Sequence, residues 1–454
     1  MNIILIDRGI DTVDSILKNT DWNIVICVVG DEIQKKRYED NDRILKIYTF
    51  QELLEIYDVE CIDYEELKKY KHIQPVSESG FRRIYDDYQL NRYDFYTGVS
   101  FWLHIFEENV IDLCLIVGLL HGFRCDYILQ EIAKQKNIKC FNLMSATYKK
   151  RAIYDANNGE LLPKIVRKES NVDMNVNINY LNSFNYDYGY VNNPNLLKKL
   201  IYKMGGMILI RIFYLIKSRK ISFELHYRKY NFFEYLWSYF KAIYVYRYLK
   251  KKYCKIDYSE KYVIYFLHFE PEATIPGYAD VMDSQLVVIK MLSEALPQGW
   301  NLYIKEHPDT YKLNTAAYEY QLPSIANYKS RYFYKKILNL ENVKLVDHKL
   351  LGIDLIKNSN GIATMIGTVV IEAVKYKKPV LIFSSQKSVF KYCSDFFKIN
   401  SMKDCKLAMN KIANGFSPTY EDFDVMVDKY LFEESNRGYS DIILTIFNAV
   451  EGSN

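Results

Sequence analysis

The 454-residue sequence lacks the cysteine spacings of a secreted disulfide scaffold. It has eight cysteines, but no CxxC pair and no cluster. Most of them lie in apolar stretches, as free core thiols do, and this usage favours a reducing cytoplasm. The opening residues MNIILIDRGID also lack the basic start and the small-residue cleavage site of a signal peptide. We therefore expect a cytoplasmic protein.

A strong excess of one charge is also missing. The formal net charge is +4, from 60 Lys and Arg against 56 Asp and Glu, which argues against a nucleic-acid partner. There is no HExxH, no Cys/His grid, no DxD in a setting typical of Mg²⁺ binding, no Walker A motif and no GxGxxG after the first apolar run. The sequence therefore predicts no metal and no resident cofactor.

What the sequence does contain is a repeated alternation of short apolar runs and helical patterns. In the first 150 residues, strands are expected at 2–6, 22–29, 43–48, 59–62, 110–117 and 138–143. A second series is expected at 262–267, 301–304, 343–346, 361–364 and 379–383. Such alternation predicts doubly wound α/β domains, and the length exceeds one ordinary core. Two Rossmann-like domains facing a central cleft, joined by a helical basic segment, form the architecture called GT-B.

Composition divides the chain further. We assign the parts as a first Rossmann-like domain at 1–195, a basic aromatic helical segment at 196–258, a second Rossmann-like domain at 259–418 and C-terminal helices at 419–454. Residues 157–195 are rich in Asn, Asp and Gly, and we expect long loops or an insertion there. In two-domain folds of this kind the C-terminal helices often cross back to the first domain.

The basic segment leaves two interpretations open. Residues 198–252 carry fourteen Lys or Arg against two acids, together with many aromatic side chains. The apolar run at 204–217 is shorter than the roughly 20 residues that span a bilayer, and Arg211 interrupts it. A basic aromatic helix can lie on an anionic membrane surface. The alternative is a pair of interdomain helices with a buried aromatic face and a solvated basic face.

Two carboxylates follow the first strand of the second domain. Glu270 and Glu272 stand two residues apart in HFEPEAT, with Pro271 between them to stiffen the loop. In parallel sheets, ligands bind beyond the carboxyl ends of the strands. One glutamate is expected to act as base or nucleophile and the other to orient it, with Gln285 facing the same cleft. The alternative is a solvated acidic loop.

The next strand of the second domain ends in KEHP. Pro308 ends the strand and biases His307 toward an extended conformation that projects its ring from the strand end. A histidine there can donate to a phosphate oxygen, and Lys305 would add positive charge. A histidine before proline is otherwise a common structural loop residue.

A third motif, GIATMIGTVVIEAV, reads as strand, turn and helix. Gly367 would let the backbone approach a ligand closely, while Thr364 and Thr368 offer hydroxyl donors. The start of the following helix would offer free N–H groups to a phosphate. Glu372, one turn into that helix, would accept hydrogen bonds from a ribose or a base. An ordinary capped helix is the alternative.

The first domain contributes polar residues at its own strand ends. His121 and Arg124 lie in GLLHGFRCDYIL, just after the strand expected at 110–117, and Arg151 closes the basic stretch after the strand at 138–143. We expect His121 to act in catalysis, and Arg124 and Arg151 to bind an acidic acceptor. A capping histidine and a solvated basic turn are the alternatives.

Taken in order, these motifs resemble those of bacterial capsule polysaccharide biosynthesis proteins. The matching stretches are FEPEAT, DSQ, ALPQGW and KEHP within 266–308, and later GIATMIGTVVIEAVKYKKPVLIF. The segment GLLHGFRCDYILQEIAKQKNI is similar to the first domain of some relatives. The resemblance covers about 110–155 and 260–385. This sequence departs from the family at Leu120, Glu270, Thr274 and Val369–Ile371, where Pro, Gln, Ser and a glycine with an aromatic are usual.

The resemblance implies a GT-B glycosyltransferase related to enzymes that use CMP-activated Kdo. In that reading His307 contacts the nucleotide phosphate, Thr364, Gly367 and Thr368 line the nucleotide pocket, and Glu272 is the nucleophile or base. The acceptor would be a capsule or other surface polysaccharide, with the enzyme peripheral on the inner membrane face. Three alternatives are a nucleotide-sugar epimerase, a glycerophosphotransferase and a non-catalytic capsule assembly partner.

Overall fold

The structure is a computed structural model. It describes residues 1–7, 11–55, 63–81, 88–117, 126–147, 150–165, 232–270, 284–311, 324–365, 367, 369–383, 388–433 and 435–451. The expected strand at 59–62 and the apolar run at 204–217 lie outside these residues.

The first domain is built on an eight-stranded sheet. Its strands are β1 (Asn2–Asp7), β2 (Asn23–Val29), β3 (Ile44–Thr49), β4 (Leu113–Val117), β5 (Lys139–Thr147), β6 (Lys150–Asp155), β7 (Glu160–Leu161) and, from the C-terminal region, β14 (Phe432–Glu433). The order is β14-β6-β5-β4-β1-β2-β3, with β7 paired to β6. The five neighbouring strands β3, β2, β1, β4 and β5 run parallel in Rossmann order, whereas β6 is antiparallel to β5.

Helices cover both faces of this sheet. They are α1 (Asp11–Asn19), α2 (Glu32–Tyr38), α3 (Phe50–Glu55), α4 (Tyr64–Lys69), α5 (Gln74–Phe81), α6 (Tyr88–Glu108) and α7 (Asp126–Gln135). The central strands β1, β2 and β4 are mostly apolar and almost wholly buried, as expected for a parallel sheet covered on both sides, whereas β3 at the edge is partly exposed. The predicted strand and helix series of the first domain is therefore confirmed wherever the structure describes it.

The second domain has a wholly parallel six-stranded sheet. Its strands are β8 (Tyr262–Phe266), β9 (Asn301–Lys305), β10 (Val343–Val346), β11 (Gly361–Thr364), β12 (Val380–Ile382) and β13 (Phe397–Lys398). The order β10-β9-β8-β11-β12-β13 is the Rossmann order, and it reverses between β8 and β11. Ligands of such sheets bind at this reversal, outside the carboxyl ends of the strands.

The helices of the second domain are α8 (Phe232–Lys250), α9 (Gln285–Ala295), α10 (Arg331–Leu338), α11 (Gly352–Asn358), α12 (Val369–Lys375) and α13 (Met402–Ala413). A short 3-10 helix, Pro308–Tyr311, follows β9 directly. The buried side of α8 contributes Ala242, Val245 and Leu249 to the same apolar cluster as β8 and β9. Helix α8 therefore belongs to the packed body of the second domain.

The C-terminal helices return to the first domain, as the sequence suggested. Helix α14 (Glu421–Tyr430) leads into β14, which pairs antiparallel with β6, and α15 (Asn436–Glu451) packs against α1. The ring of Phe447 stacks on Trp22 with centroids 6.4 Å apart. Packing of these large rings stabilises the position of α15 on the first domain.

The two domains touch through a small polar and aromatic contact. The Lys391 ammonium lies 2.8 Å from a Glu160 carboxylate oxygen and donates to the Gly159 carbonyl at 3.1 Å. Tyr392 accepts a hydrogen bond from the Leu161 N–H at 3.0 Å and stacks on Tyr430 at 4.2 Å. The turn between β6 and β7, which the sequence placed in a loop region, thus forms part of the domain interface.

Four short strands were not foreseen. The apolar runs in the sequence did not predict β6, β7, β13 or β14. These strands pair with distant segments of the chain or across a tight turn. Arg151 was expected in a basic turn, but it lies in β6, opposite Ser145 on one side and Phe432 on the other. Among the described residues, no helix is long and apolar enough to cross a membrane.

Candidate active site

The carboxyl ends of β8 and β11 meet at the point where the strand order of the second sheet reverses. His268 follows β8 and is nearly buried, and its Nε2 lies 3.3 Å from the Thr364 hydroxyl at the end of β11. The Met365 N–H also donates to Nε2, at 3.3 Å. Because a backbone N–H can only donate, Nε2 accepts, and the ring hydrogen of a neutral His268 belongs on Nδ1. The sequence placed His268 at a strand end but gave it no role.

Gly367 packs closely against this pair. Its N–H donates to the Thr364 hydroxyl at 3.0 Å. A Cβ at position 367 would lie 2.8 Å from Thr364 Oγ1 and 3.5 Å from His268 Cε1. Any larger residue here would therefore force the Thr364 side chain or the turn to move. The structure brings Thr364 and Gly367 together as predicted, while Thr368 lies outside the described residues.

Gln285 links the His268 backbone to a carboxylate. Its Oε1 accepts from the His268 N–H at 2.8 Å, and its Nε2 donates to Glu270 Oε1 at 2.8 Å. Gln285 is buried at the start of α9, so its bond to the His268 N–H is shielded from water and its bond to Glu270 is partly so. Gln285 and Glu270 therefore lie at the same strand end, and Gln285 orients the carboxylate. Glu272 lies outside the described residues.

Glu306 holds the loop that follows β9. Its Oε1 accepts from the His307 N–H at 2.8 Å, from Lys329 Nζ at 2.7 Å and from the Thr310 hydroxyl at 3.1 Å. Its Oε2 accepts from the Tyr334 hydroxyl at 2.6 Å. These four donors hold the Glu306 carboxylate in place, and its bond to the His307 N–H fixes the backbone on which His307 stands.

His307 itself is partly exposed, with 37% of its side chain accessible. Its Nδ1 accepts from the Asp309 N–H at 3.1 Å, which leaves the ring hydrogen of the neutral form on Nε2. The Asp309 carboxylate lies 4.0 Å from Nδ1, and the Phe269 ring lies 5.9 Å from the imidazole ring between centroids. Phe269 neighbours His268 in the chain. The residues after β8 and β9 therefore come together at one edge of the sheet.

Lys329 joins the two strand ends and was missed by the sequence analysis. Its ammonium donates to the His268 carbonyl as well as to Glu306, and its side chain is 1% exposed. Nothing in the sequence marked this lysine, since it stands in an ordinary polar stretch between two structural elements. Its position becomes evident only when β8, β9 and the Ser324–Asn327 turn are brought together.

Lys305 lies on the inner side of the sheet. It is nearly buried, and its Nζ donates to the His348 carbonyl at 3.0 Å. Burial lowers the pKa of Lys305 to about 8, against the opposing attraction of Glu306, Asp347 and Glu372. Burial likewise raises the pKa of Glu372 on α12, while Lys305 and Lys375 lower it. Two expected contacts stay predictions. One joins Lys305 to a phosphate, and the other joins Glu372 to a ribose.

A third histidine follows the third adjacent strand. His348, after β10, is fully buried, stacks on Tyr311 with centroids 3.9 Å apart, and has the Tyr253 hydroxyl 3.2 Å from Nδ1. Burial lowers its pKa to about 4, although Asp347 opposes the shift. This histidine is therefore neutral and stabilises the sheet edge from within.

In the first domain, the structure describes only one of the three expected site residues. Arg151 stands at the beginning of β6, beside the carboxyl end of β5, and is partly exposed. His121 and Arg124 lie outside the described residues, directly after the carboxyl end of β4. Among the described residues no three His, Cys, Asp or Glu side chains form a group that could hold a metal ion.

Comparison with known proteins yields likeness in overall structure only. No protein-family model and no curated protein matches the chain. The solved structure of S. aureus MnaA with UDP is 11% identical at a TM-score of 0.30, over 99% of this chain and 97% of that one. A UDP-forming trehalose-phosphate synthase from Burkholderia vietnamiensis is 9% identical at a TM-score of 0.34, over 99% of both chains.

A third neighbour is KpsC of Thermosulfurimonas dismutans, a β-Kdo 2,7 transferase. It is 10% identical at a TM-score of 0.27, over 72% of this chain and 88% of that one. A UDP-GlcNAc 2-epimerase from Methanocaldococcus jannaschii is 11% identical at a TM-score of 0.26. With two Rossmann-like sheets in this order and a C-terminal helix that returns to the first, the chain has the GT-B fold.

Proposed function

We propose that the chain is a nucleotide-sugar-dependent glycosyltransferase whose donor binds at the carboxyl edge of the second sheet. The observation that carries this proposal is the contact of His268 with Thr364 across the reversal of strand order. Gly367 packs against this pair. Ligands of open parallel sheets bind at this place. Gly367 packs so closely here that a methyl group added to it would lie 2.8 Å from Thr364 Oγ1.

The groups at this edge suit a phosphate leaving group. His307 in the tautomer described above has its hydrogen on Nε2, and the Glu306 network fixes its backbone. A positioned donor of this kind stabilises negative charge that develops on a phosphate oxygen as the glycosidic bond breaks. We therefore assign His307 to the phosphate, with Thr364, Gly367 and Thr368 lining the nucleotide pocket. Such a site needs no metal ion, because a CMP leaving group carries a single phosphate.

The proposed chemistry at the sugar uses the carboxylates after β8. Glu270 is held by Gln285 next to His268, and Glu272 follows two residues later. A carboxylate near the anomeric carbon can stabilise oxocarbenium-like charge or attack that carbon. We assign this role to Glu272, with Glu270 as its partner. His121, Arg124 and Arg151 of the first domain are proposed to present the acceptor.

The finer assignment of substrates rests on the sequence resemblance to capsule polysaccharide enzymes. It proposes a CMP-activated acidic sugar such as Kdo as the donor and a growing surface polysaccharide as the acceptor. Arginines suit an acidic glycan because a guanidinium binds a carboxylate through two parallel hydrogen bonds. The replacement of the usual glutamine by Glu270 changes the charge beside the sugar, so the sugar itself is best identified by a donor screen.

A nucleotide-sugar epimerase is the second candidate. The site proposed above would bind a nucleotide sugar, and an epimerase has the same need. The two enzymes differ in what they require. An epimerase converts its nucleotide sugar without an acceptor, whereas a transferase releases free nucleotide in proportion to the acceptor that it glycosylates.

The test begins with a thermal-shift screen of CMP, UDP, GDP and CDP, followed by incubation of the corresponding sugar donors with and without a capsule oligosaccharide. Mass spectrometry should show acceptor-dependent nucleotide release and a product heavier by one sugar. Glu272→Gln should lower the rate by a factor of about 10² to 10⁴ while nucleotide affinity is retained. Isomerised donor without acceptor would establish the epimerase instead. Capsule production that survives Glu272→Ala and His307→Ala would favour a non-catalytic assembly partner.

A further inference from the structure

The exposed side of helix α8 carries large aromatic residues in one stripe. Trp237, Phe240 and Tyr244 are 62%, 50% and 56% exposed, and they recur at intervals of three and four residues on one face of the helix. Of the four tryptophans, Trp22, Trp102 and Trp300 are buried at 1%, 0% and 7% exposure. Exposed aromatic rings grouped on one face generally mark an interaction site.

Helix α10 extends this stripe to a second element. Arg331 donates to the Tyr244 hydroxyl, and its guanidinium lies 4.7 Å from the centre of the Tyr248 ring. The next residue, Tyr332, is 64% exposed, and the Lys336 ammonium lies 5.2 Å from its ring centre. These contacts join the two helices into one surface, which we call the α8–α10 surface: Trp237, Phe240, Lys241, Tyr244, Arg331 and Tyr332.

Positive charge predominates around the α8–α10 surface. The segments 237–252 and 328–340 contain eight exposed Lys or Arg residues, against Glu234 in the first turn of α8 and Glu341 directly after the second segment. The chain as a whole is nearly balanced, at +4 over 454 residues, so this concentration is local. A surface with an excess of cations attracts an anionic partner, and the attraction falls off within about 8–10 Å at physiological salt.

We propose that the α8–α10 surface docks on an anionic lipid bilayer. Tryptophan and tyrosine rings favour the headgroup level of a membrane, where one end is apolar and the other is wet. Each Lys or Arg near an anionic leaflet adds to the attraction. The opposite side of α8 is packed into the second domain through Ala242, Val245 and Leu249. The helix therefore lies on the membrane and inserts only its exposed side chains.

This docking serves the proposed function, because it would bring the site to a lipid-linked acceptor. Vesicle binding is measured without donor or acceptor, so a failure of docking and a failure of transfer can be told apart. The membrane contact considered for residues 198–252 from composition is thereby assigned to particular side chains, two of which, Arg331 and Tyr332, belong to a helix outside that segment.

The test uses the full chain and vesicles of phosphatidylcholine alone or with 30% phosphatidylglycerol. We expect co-sedimentation with the anionic vesicles, at least tenfold weaker binding to the neutral ones, and release by 0.5 M NaCl. Trp237→Ala with Phe240→Ala should reduce binding at least tenfold, and Lys241→Glu with Lys336→Glu should do the same. The matched controls are Tyr64→Ala with Tyr258→Ala and Lys36→Glu with Lys403→Glu, exposed residues elsewhere that should leave binding unchanged.

Trp237 also supplies a direct reporter, because the other three tryptophans are buried. Brominated lipids should quench the emission of the wild type on anionic vesicles, and Trp237→Phe should abolish that quenching while thermal unfolding stays unchanged. The proposal is overturned if anionic vesicles do not bind, or if the aromatic and charge variants bind as well as their controls. A shift of Trp237 emission with soluble hyaluronate but not with vesicles would overturn it in favour of a glycan-binding surface.

Discussion

Glu306 and Lys329 form an ion pair 2.7 Å long in which neither side chain has more than 1% of its surface exposed. The pair connects the loops after β8 and β9, since Lys329 also donates to the His268 carbonyl and Glu306 accepts from the His307 N–H. The two histidines of the proposed site therefore share one buried support. Its integrity sets the distance between the groups that would meet the nucleotide.

Removing one partner of this pair should strongly destabilise the protein. Lys329→Met would leave the Glu306 charge buried without its cation, and breaking a buried pair in this way typically costs about 3–5 kcal/mol. We expect a loss of that size in the free energy of unfolding of the second domain, measured by urea denaturation. The double variant Glu306→Gln with Lys329→Met should recover part of it, because no unpaired charge remains.

The exposed pair Glu260–Lys344 provides the matched comparison. Its two side chains are about one-third exposed, so Lys344→Met should cost no more than about 1 kcal/mol. Equal losses for Lys329→Met and Lys344→Met would show that burial does not govern the Glu306–Lys329 pair. The idea of a shared support for both histidines would then be wrong.

Replacement of His307 should weaken nucleotide binding without harming the fold. Its ring is partly exposed and its loop is held by Glu306 through the backbone, so His307→Ala leaves the support in place. A hydrogen bond to a charged phosphate contributes about 2 kcal/mol, and we expect roughly thirtyfold weaker binding of CMP by calorimetry. His72→Ala, at an exposed position of the first domain, is the control. Unchanged CMP affinity in His307→Ala would remove His307 from the proposed site.

Gly367→Ala tests the close packing at the reversal of strand order. The new methyl group would stand 2.8 Å from Thr364 Oγ1, so the Thr364 hydroxyl or the turn must move, which should disturb the His268–Thr364 contact. We expect at least tenfold weaker nucleotide binding by calorimetry.

The control for this change is Gly299→Ala. Gly299 has a positive φ of +80° and no atom within 4 Å of the added methyl group. It should therefore lose about 1 kcal/mol of stability while keeping nucleotide affinity. If both alanine variants bind nucleotide like the wild type, the space at Gly367 is not needed for the ligand.

The sequence predicted the strands around the candidate site better than the buried contacts that hold them together. Apolar runs and helical periodicity located nearly every parallel strand and placed His307, Thr364 and Gly367 at or after strand ends, while the roles proposed for these residues stay predictions. Lys329 could not be found in this way, because its partners lie 61 and 23 residues away and no local pattern marks them. The antiparallel strand β14 escaped notice for the same reason, since its pairing with β6 joins residues about 280 positions apart.

One residue shows how a correct location can still give an incomplete account. Lys305 stands at the end of β9 as expected, but both faces of this strand are covered, so its side chain is buried and donates to the His348 carbonyl. The first three residues of the motif KEHP therefore have different structural roles. Glu306 builds the support, His307 faces outward, and Lys305 holds the neighbouring strand end.

The neutral His348 should make the second domain sensitive to acid. Folding lowers the pKa of this histidine from 6.5 to about 4, so the unfolded chain binds a proton more readily than the folded one. The contribution of His348 to the free energy of unfolding is complete above about pH 6.5. It is lost as the pH falls toward 4, by up to about 3 kcal/mol. Protonation is opposed by burial and by Lys305 and Lys349, although Asp347 and Glu306 favour it.

Comparing variants isolates this effect from that of the carboxylates. His348→Phe keeps a ring beside Tyr311 but cannot be protonated, so its unfolding free energy should be lower than the wild type at pH 7 and should converge on it by about pH 4. His104→Gln, at an exposed position on α6, should follow the wild-type curve throughout. Urea unfolding at half-unit steps from pH 7 to 4 measures the difference. A constant gap between wild type and His348→Phe would mean that His348 is not the group that titrates.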